Sequence, residues 1–150
     1  MKQTLLKITK VRNFAKTATL ISIGVNILSI IGIGVLIGEA VKNFNPKHLS
    51  LPSGPFIFII IVALVGGVLN TIFLILILVN STSIYLYDLK SEKHKEIIFS
   101  YRRIVLILSI IAFFIFSFIL LIVIWAMSNS KITFLMQEIA KLEIENNQTV

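Results

Sequence analysis

Residues 56–79 read FIFIIIVALVGGVLNTIFLILILV, which is a run of 24 residues without a charged side chain or a proline. A helix needs about 20 apolar residues to cross the hydrocarbon core of a bilayer. Backbone groups in lipid must be hydrogen-bonded within the protein, and a transmembrane barrel would show short alternating segments instead. This run therefore predicts a transmembrane helix.

Two further runs have the same character, at residues 18–40 and 104–127. Glu39 is the only charged residue in either run. The segment between the first two runs, residues 41–55, holds all three prolines and is typical of an irregular loop. The sequence thus predicts an all-α integral membrane protein with three transmembrane helices, a basic N-terminal segment and a C-terminal amphipathic helix.

The composition supports a membrane protein. The chain has 150 residues, of which 57% are hydrophobic and 14% charged, whereas soluble domains are about 45–50% apolar and about 25% charged. One small core cannot bury this much apolar surface, so a soluble monomer is excluded. The absence of cysteine excludes disulfides, thiol catalysis and thiolate metal sites. The length predicts one membrane domain over residues 1–150.

The positive charges predict an orientation. Five of the 14 lysine and arginine residues precede the first run and five lie between the second and third, whereas the first loop and the tail carry two each. Basic residues favour the cytoplasmic side and anionic lipid, so we expect the N-terminus inside and the C-terminus outside a plasma or inner membrane, with no nucleic-acid partner. The residues assigned to orientation and lipid contact are Lys2, Lys7, Lys10, Arg12, Lys16, Arg102 and Arg103.

The N-terminal segment has two interpretations. Residues 3–17 can form a helix on the inner leaflet, with a narrow stripe of Thr4, Ile8, Val11 and Ala15 between cationic side chains. Alternatively, the segment is an orientation signal without defined structure.

Small and polar residues predict the contacts between helices, because membrane helices associate through them. The small residues singled out are Gly34 and Gly38, which form a GxxxG motif, with Ala63, Gly66 and Gly67. The polar residues are Ser22, Asn26, Ser29, Asn70 and Ser109. Ordinary helix packing, with a hydrogen bond between Asn26 and Asn70, is favoured over a pore lining, since conducting paths usually need more polar residues.

The tail, residues 130–146, repeats apolar side chains at helical spacing after Ser130, a candidate cap. These residues are Ile132, Leu135, Met136, Ile139 and Leu142. The tail is slightly acidic, whereas helices on membrane surfaces are usually basic. We therefore expect it to dock on a protein surface, a partner or a second copy; the alternative is a frayed extension of the third run.

Chemical motifs are absent from the sequence. No phosphate-binding glycine loop, HExxH or GxSxG occurs. Asp88, Glu92 and Glu96, with His94 nearby, resemble a metal site but are more typical of a solvated helix face. The sequence predicts no catalytic residue, metal site or cofactor.

These observations favour a non-enzymatic accessory subunit of a larger membrane complex. Its expected partners are the lipid bilayer and other membrane subunits or copies of itself. The alternative hypothesis is a homo-oligomeric pore, either holin-like or a transport module, lined by the polar residues named above.

Overall fold

The computed structural model describes residues 1–42, 53–86, 89, 91–115 and 118–148, and within them it contains four α-helices. In chain order these are α1 (Lys2–Lys42), α2 (Ser53–Thr82), α3 (Glu92–Ile115) and α4 (Phe118–Gln148). All four are long and apolar enough to cross a membrane. The all-helical membrane class is confirmed, and the number of such helices is four instead of three. Most of the predicted loop at 41–55 lies outside the described residues.

The predicted third span is divided between two helices. Residues 104–115 end α3, and residues 118–127 begin α4. The prediction of a single span at 104–127 was therefore wrong. The run has the length of a bilayer crossing and contains neither proline nor glycine, so nothing in its composition marks the helix ends.

Packing between α3 and α4 accounts for this division. Each helix buries one stripe of five residues, and the spacing along both stripes is three, four, four and three. On α3 the stripe is Ile98, Tyr101, Val105, Ser109 and Ala112; on α4 it is Leu121, Ile124, Ser128, Ile132 and Leu135. Positions at this spacing share one face of a helix, so each helix presents a continuous face for packing.

The two helices run antiparallel. The Tyr101 hydroxyl lies 2.7 Å from Ser128 Oγ. One end of the pair is joined by His94, whose Nε2 lies 3.4 Å from Glu138 Oε2. His94 precedes Tyr101 on α3, whereas its partner Glu138 follows Ser128 on α4, so the two helices run in opposite directions. The predicted tail helix is the continuation of α4, and Ser130 lies inside that helix and not at its start.

The chain divides into two compact units, and the first comprises Met1–Thr19 with Ile72–Val150. Its core includes the N-terminal stripe, since Thr4, Ile8, Val11 and Ala15 are all fully buried. Thr4 Oγ1 donates a hydrogen bond of 2.7 Å to the backbone oxygen of Tyr85. The N-terminal segment is therefore helical, and its stripe packs on protein instead of lipid.

The second unit is Leu20–Thr71, which takes in the apolar part of α1 and the part of α2 that precedes Ile72. Most of its large apolar side chains are exposed; Ile30, for example, is 69% accessible. Such exposure is expected of side chains that face lipid or another membrane protein. The prediction of one membrane domain over residues 1–150 stays a prediction.

Candidate association surface

Within the second unit, α1 and α2 approach each other closely at two glycines. A Cβ added to Gly66 would overlap the side chain of Val25, with Cγ1 only 2.9 Å away. A Cβ added to Gly32 would lie 2.8 Å from Cγ1 of Ile59. Glycine at these positions lets the two backbones come together, as small residues do in membrane helix pairs.

The other predicted packing glycines are not used in this contact. A Cβ added at Gly34, Gly38 or Gly67 would meet nothing within 4 Å among the described residues. Gly34 follows Gly32 by two residues, which places it about 200° further around the helix. The GxxxG motif thus faces away from the α1–α2 contact. Ala63, the remaining member of the predicted set, is exposed.

The adjacent glycines provide a direct test of this contact. We expect Gly66→Ala to lower the free energy of unfolding by about 1–3 kcal/mol, because the added methyl overlaps a stiff β-branched side chain. Gly67→Ala is the matched control, since its methyl enters open space; stability should be unchanged or slightly higher, because alanine favours helix. Denaturant titration in detergent, followed by circular dichroism, measures both. Equal losses in the two variants would contradict this packing.

The polar residues of the spans are distributed differently from the prediction. Ser22 Oγ donates a 3.4 Å hydrogen bond to the side-chain oxygen of Asn70, which is largely buried. Asn26, the predicted partner of Asn70, is exposed, and Ser29 is half-buried. Ser109 belongs to the first unit, where its hydroxyl donates to the backbone oxygen of Val105 at 2.7 Å. Three of these five residues thus have their hydrogen bonds within this chain.

The predicted tail face is only partly exposed. Ile132 and Leu135 lie in the core of the first unit, and Ile139 is half-buried. Met136 is 58% exposed and Leu142 is 39% exposed. One side of the tail therefore packs on this chain, and Met136 and Leu142 are the exposed residues of the predicted face.

The basic residues predicted to contact lipid all belong to the first unit. Four of them are exposed: Lys2, Lys10, Lys16 and Arg103. The remaining three are half-buried: Lys7, Arg12 and Arg102. Arg12 donates two hydrogen bonds to the side-chain oxygen of the adjacent Asn13.

Sequence reasoning missed the polar contacts that join α3 and α4. Ser128 Oγ donates to the backbone oxygen of Ile124 at 2.7 Å, so its single proton is engaged and Tyr101 donates to it. His94 packs its ring edge-on against Phe134, with centroids 5.4 Å apart, and Glu138 also accepts from Lys141 at 3.0 Å. The repeated spacing of the buried stripes is the sequence pattern that indicates this pairing.

The structure describes only some of the residues that were considered for a metal site. No group of three His, Asp or Glu residues suited to a metal ion occurs among the described residues. Asp88, one of the residues considered for a metal site, lies outside them. His94, another of these residues, contacts Glu138. No family model, curated protein or solved structure matches this chain.

Proposed function

We propose that this chain is a small, non-enzymatic membrane protein that acts as an accessory subunit of a larger membrane assembly. The observation that supports it most is the outward GxxxG face of α1. The positions of Gly34 and Gly38 are open, and the α1–α2 contact uses the opposite side of the helix. Membrane helices that approach closely need a face of small residues. A helix of another chain can therefore pack against Gly34 and Gly38.

A second observation agrees with this role. Asn26 is exposed on α1, in the middle of an apolar run. An amide in hydrocarbon is costly unless it finds a hydrogen-bond partner. Side-chain amides commonly find that partner on a neighbouring membrane helix. Asn26 therefore also favours an association partner for α1.

The proposed topology places both termini in the cytoplasm. The C-terminus would be outside only if residues 104–127 formed one span. Because α3 and α4 are antiparallel, the chain instead returns to the side of the membrane at which α3 begins. On this topology, 12 of the 14 basic residues are cytoplasmic, and Lys42 and Lys47 are the exceptions. The charge asymmetry is then greater than in the three-span topology, as the positive-inside rule favours.

Single cysteines test this topology, because the chain has none of its own. We expect Glu143→Cys to be protected from a membrane-impermeant maleimide in intact cells and to react once the cells are opened. Lys42→Cys, at the other end of α1, is the control and should react in intact cells. Labelling of Glu143→Cys in intact cells would contradict the proposed topology.

The accessory role is tested by native mass spectrometry of the tagged protein, extracted from its host in mild detergent. We expect a second membrane protein in fixed stoichiometry, which Gly34→Leu removes because leucine fills the open face. Gly24→Leu is the matched control: its added side chain also enters open space, but about 15 Å along the helix. That variant should retain the partner.

Two results would contradict this proposal, the first its accessory role and the second its interface on α1. A complex containing only copies of this chain would favour the homo-oligomeric pore, and leakage from liposomes would then be the next measurement. A heteromeric complex that survives Gly34→Leu unchanged would show that α1 does not form the interface.

A further inference from the structure

A groove of about 310 Å³ lies between α3 and α4 in the first unit, and we call it the α3–α4 groove. Its lining includes Glu96, Ser100 and Ile104 from α3, with Met127 and Lys131 from α4. The buried ring of Tyr101 also contributes to its wall.

The lining of the groove changes from polar to apolar in the same direction on both helices. On α3 the polar side chains of the lining, Glu96 and Ser100, precede Ile104, where the charge-free part of that helix begins. Ile97, beside Glu96, is the one apolar residue at the charged end. On α4 it runs from Lys131 back to Met127, inside the charge-free part of α4. Because the helices are antiparallel, the two charged residues share one end and the two apolar residues share the other. A groove with this gradient suits an amphiphile, with its polar head at the charged end and the start of its apolar chain at the other end.

The two charges at the polar end have no partner within the described part of the chain. The ion pairs there join Glu138 to His94 and Lys141, and Glu92 to Lys95. Neither Glu96 nor Lys131 takes part in them. One carboxylate and one ammonium therefore remain available across the groove, each able to form a charge-assisted hydrogen bond with a ligand.

We infer that the α3–α4 groove binds a phospholipid with an ethanolamine headgroup. Lys131 and the Ser100 hydroxyl donate to the phosphate, and Glu96 accepts from the primary ammonium. The start of an acyl chain lies against Ile104 and Met127. This assignment uses the first unit alone and does not depend on the accessory role.

Other headgroups fit the paired charges less well. A glycerol headgroup offers no cation to Glu96, so the carboxylate would stay unpaired beside an anionic lipid. A choline headgroup has no N–H to donate, and proteins usually bind its quaternary ammonium with several aromatic faces. A serine headgroup adds a carboxylate that Glu96 repels. Ethanolamine alone supplies one phosphate and one hydrogen-bonding cation without a further charge.

The experiment is native mass spectrometry of the full chain, released from micelles with equimolar phosphatidylethanolamine, phosphatidylglycerol and phosphatidylcholine of identical acyl chains. We expect wild-type protein to retain phosphatidylethanolamine about tenfold over the other two, since one charge-assisted hydrogen bond separates them. Glu96→Gln should bring the three lipids near parity. Lys131→Gln should lower the occupancy of all three by about tenfold.

Matched variants outside the groove serve as controls. Glu143→Gln and Lys42→Gln remove the same charges from exposed positions on α4 and α1, and both should retain the wild-type lipid ratio. Thermal unfolding of every variant verifies that the fold is intact. Three results would overturn the assignment: equal or greater retention of phosphatidylglycerol by the wild type, an unchanged ratio in Glu96→Gln, or unchanged occupancy in Lys131→Gln.

Discussion

Tyr101→Ala is expected to lower the free energy of unfolding by roughly 3–5 kcal/mol, as deletion of a large buried ring generally does. The ring is 1% exposed in the core of the first unit, and its hydroxyl bonds to Ser128 at 2.7 Å. Alanine leaves a cavity between α3 and α4 and removes the hydrogen bond that joins them. Trp125, the single tryptophan, packs against the same core, so its fluorescence reports denaturant unfolding in detergent.

Two further variants separate the contributions of the ring and the hydroxyl. Tyr101→Phe keeps the ring and should cost about 1 kcal/mol, because Ser128 still donates to the backbone of α4 and only one hydrogen bond is lost. Phe99→Ala removes a neighbouring ring that is 52% exposed and should cost much less than Tyr101→Ala. If Phe99→Ala and Tyr101→Ala were equally destabilising, the described α3–α4 packing would be incorrect.

Ile8→Ala is expected to cost about 2–5 kcal/mol, the usual range for truncation of a buried isoleucine. Ile8 is fully buried in the core that α1 shares with the other helices of the first unit. A helix that merely lay on the leaflet would lose little stability in detergent without anionic lipid. The same Trp125 titration therefore distinguishes packing on protein from binding to a lipid surface.

Leu6→Ala is the matched control for that experiment. Leu6 lies two residues away on the same helix, yet it is 56% exposed. We expect its truncation to change the free energy of unfolding by less than about 0.5 kcal/mol, as is usual for surface positions. Equal effects of the two truncations would show that the N-terminal stripe is not buried in protein.

The sequence predicted the helices of the second unit well, because their apolar runs leave few alternatives. A charge-free run of 20 residues or more must be helical in lipid. It did not distinguish Gly66 from Gly67, since both are glycines in one run and only the position of Val25 makes one of them a close contact. The same holds for the GxxxG motif, which the sequence marks but whose outward orientation depends on how α1 meets α2.

The hairpin of α3 and α4 shows where composition is insufficient. Its apolar residues, 104–127, have the length of one bilayer crossing, although α3 ends at Ile115 and the antiparallel α4 begins at Phe118. Hydropathy measures the transfer of side chains from water into lipid. Its value is therefore similar whether a run forms one long helix or parts of two packed helices. The spacing of the buried stripes does indicate that α3 and α4 pair. It becomes recognisable only when the polar residues 92–103 and 128–135 are considered together with the apolar run.

The sequence by itself determined that this protein is helical, with apolar runs long enough to cross a membrane, and it predicted an orientation from the basic segments. Transfer of apolar side chains and the need to satisfy backbone groups depend on local composition, so a single chain is enough to establish them. The tertiary structure alone decided that the third run is divided between two antiparallel helices, that the N-terminal stripe is buried and that Glu96 and Lys131 share a groove. Those outcomes depend on which side chains meet across helices, and that pairing is decided by packing between distant residues.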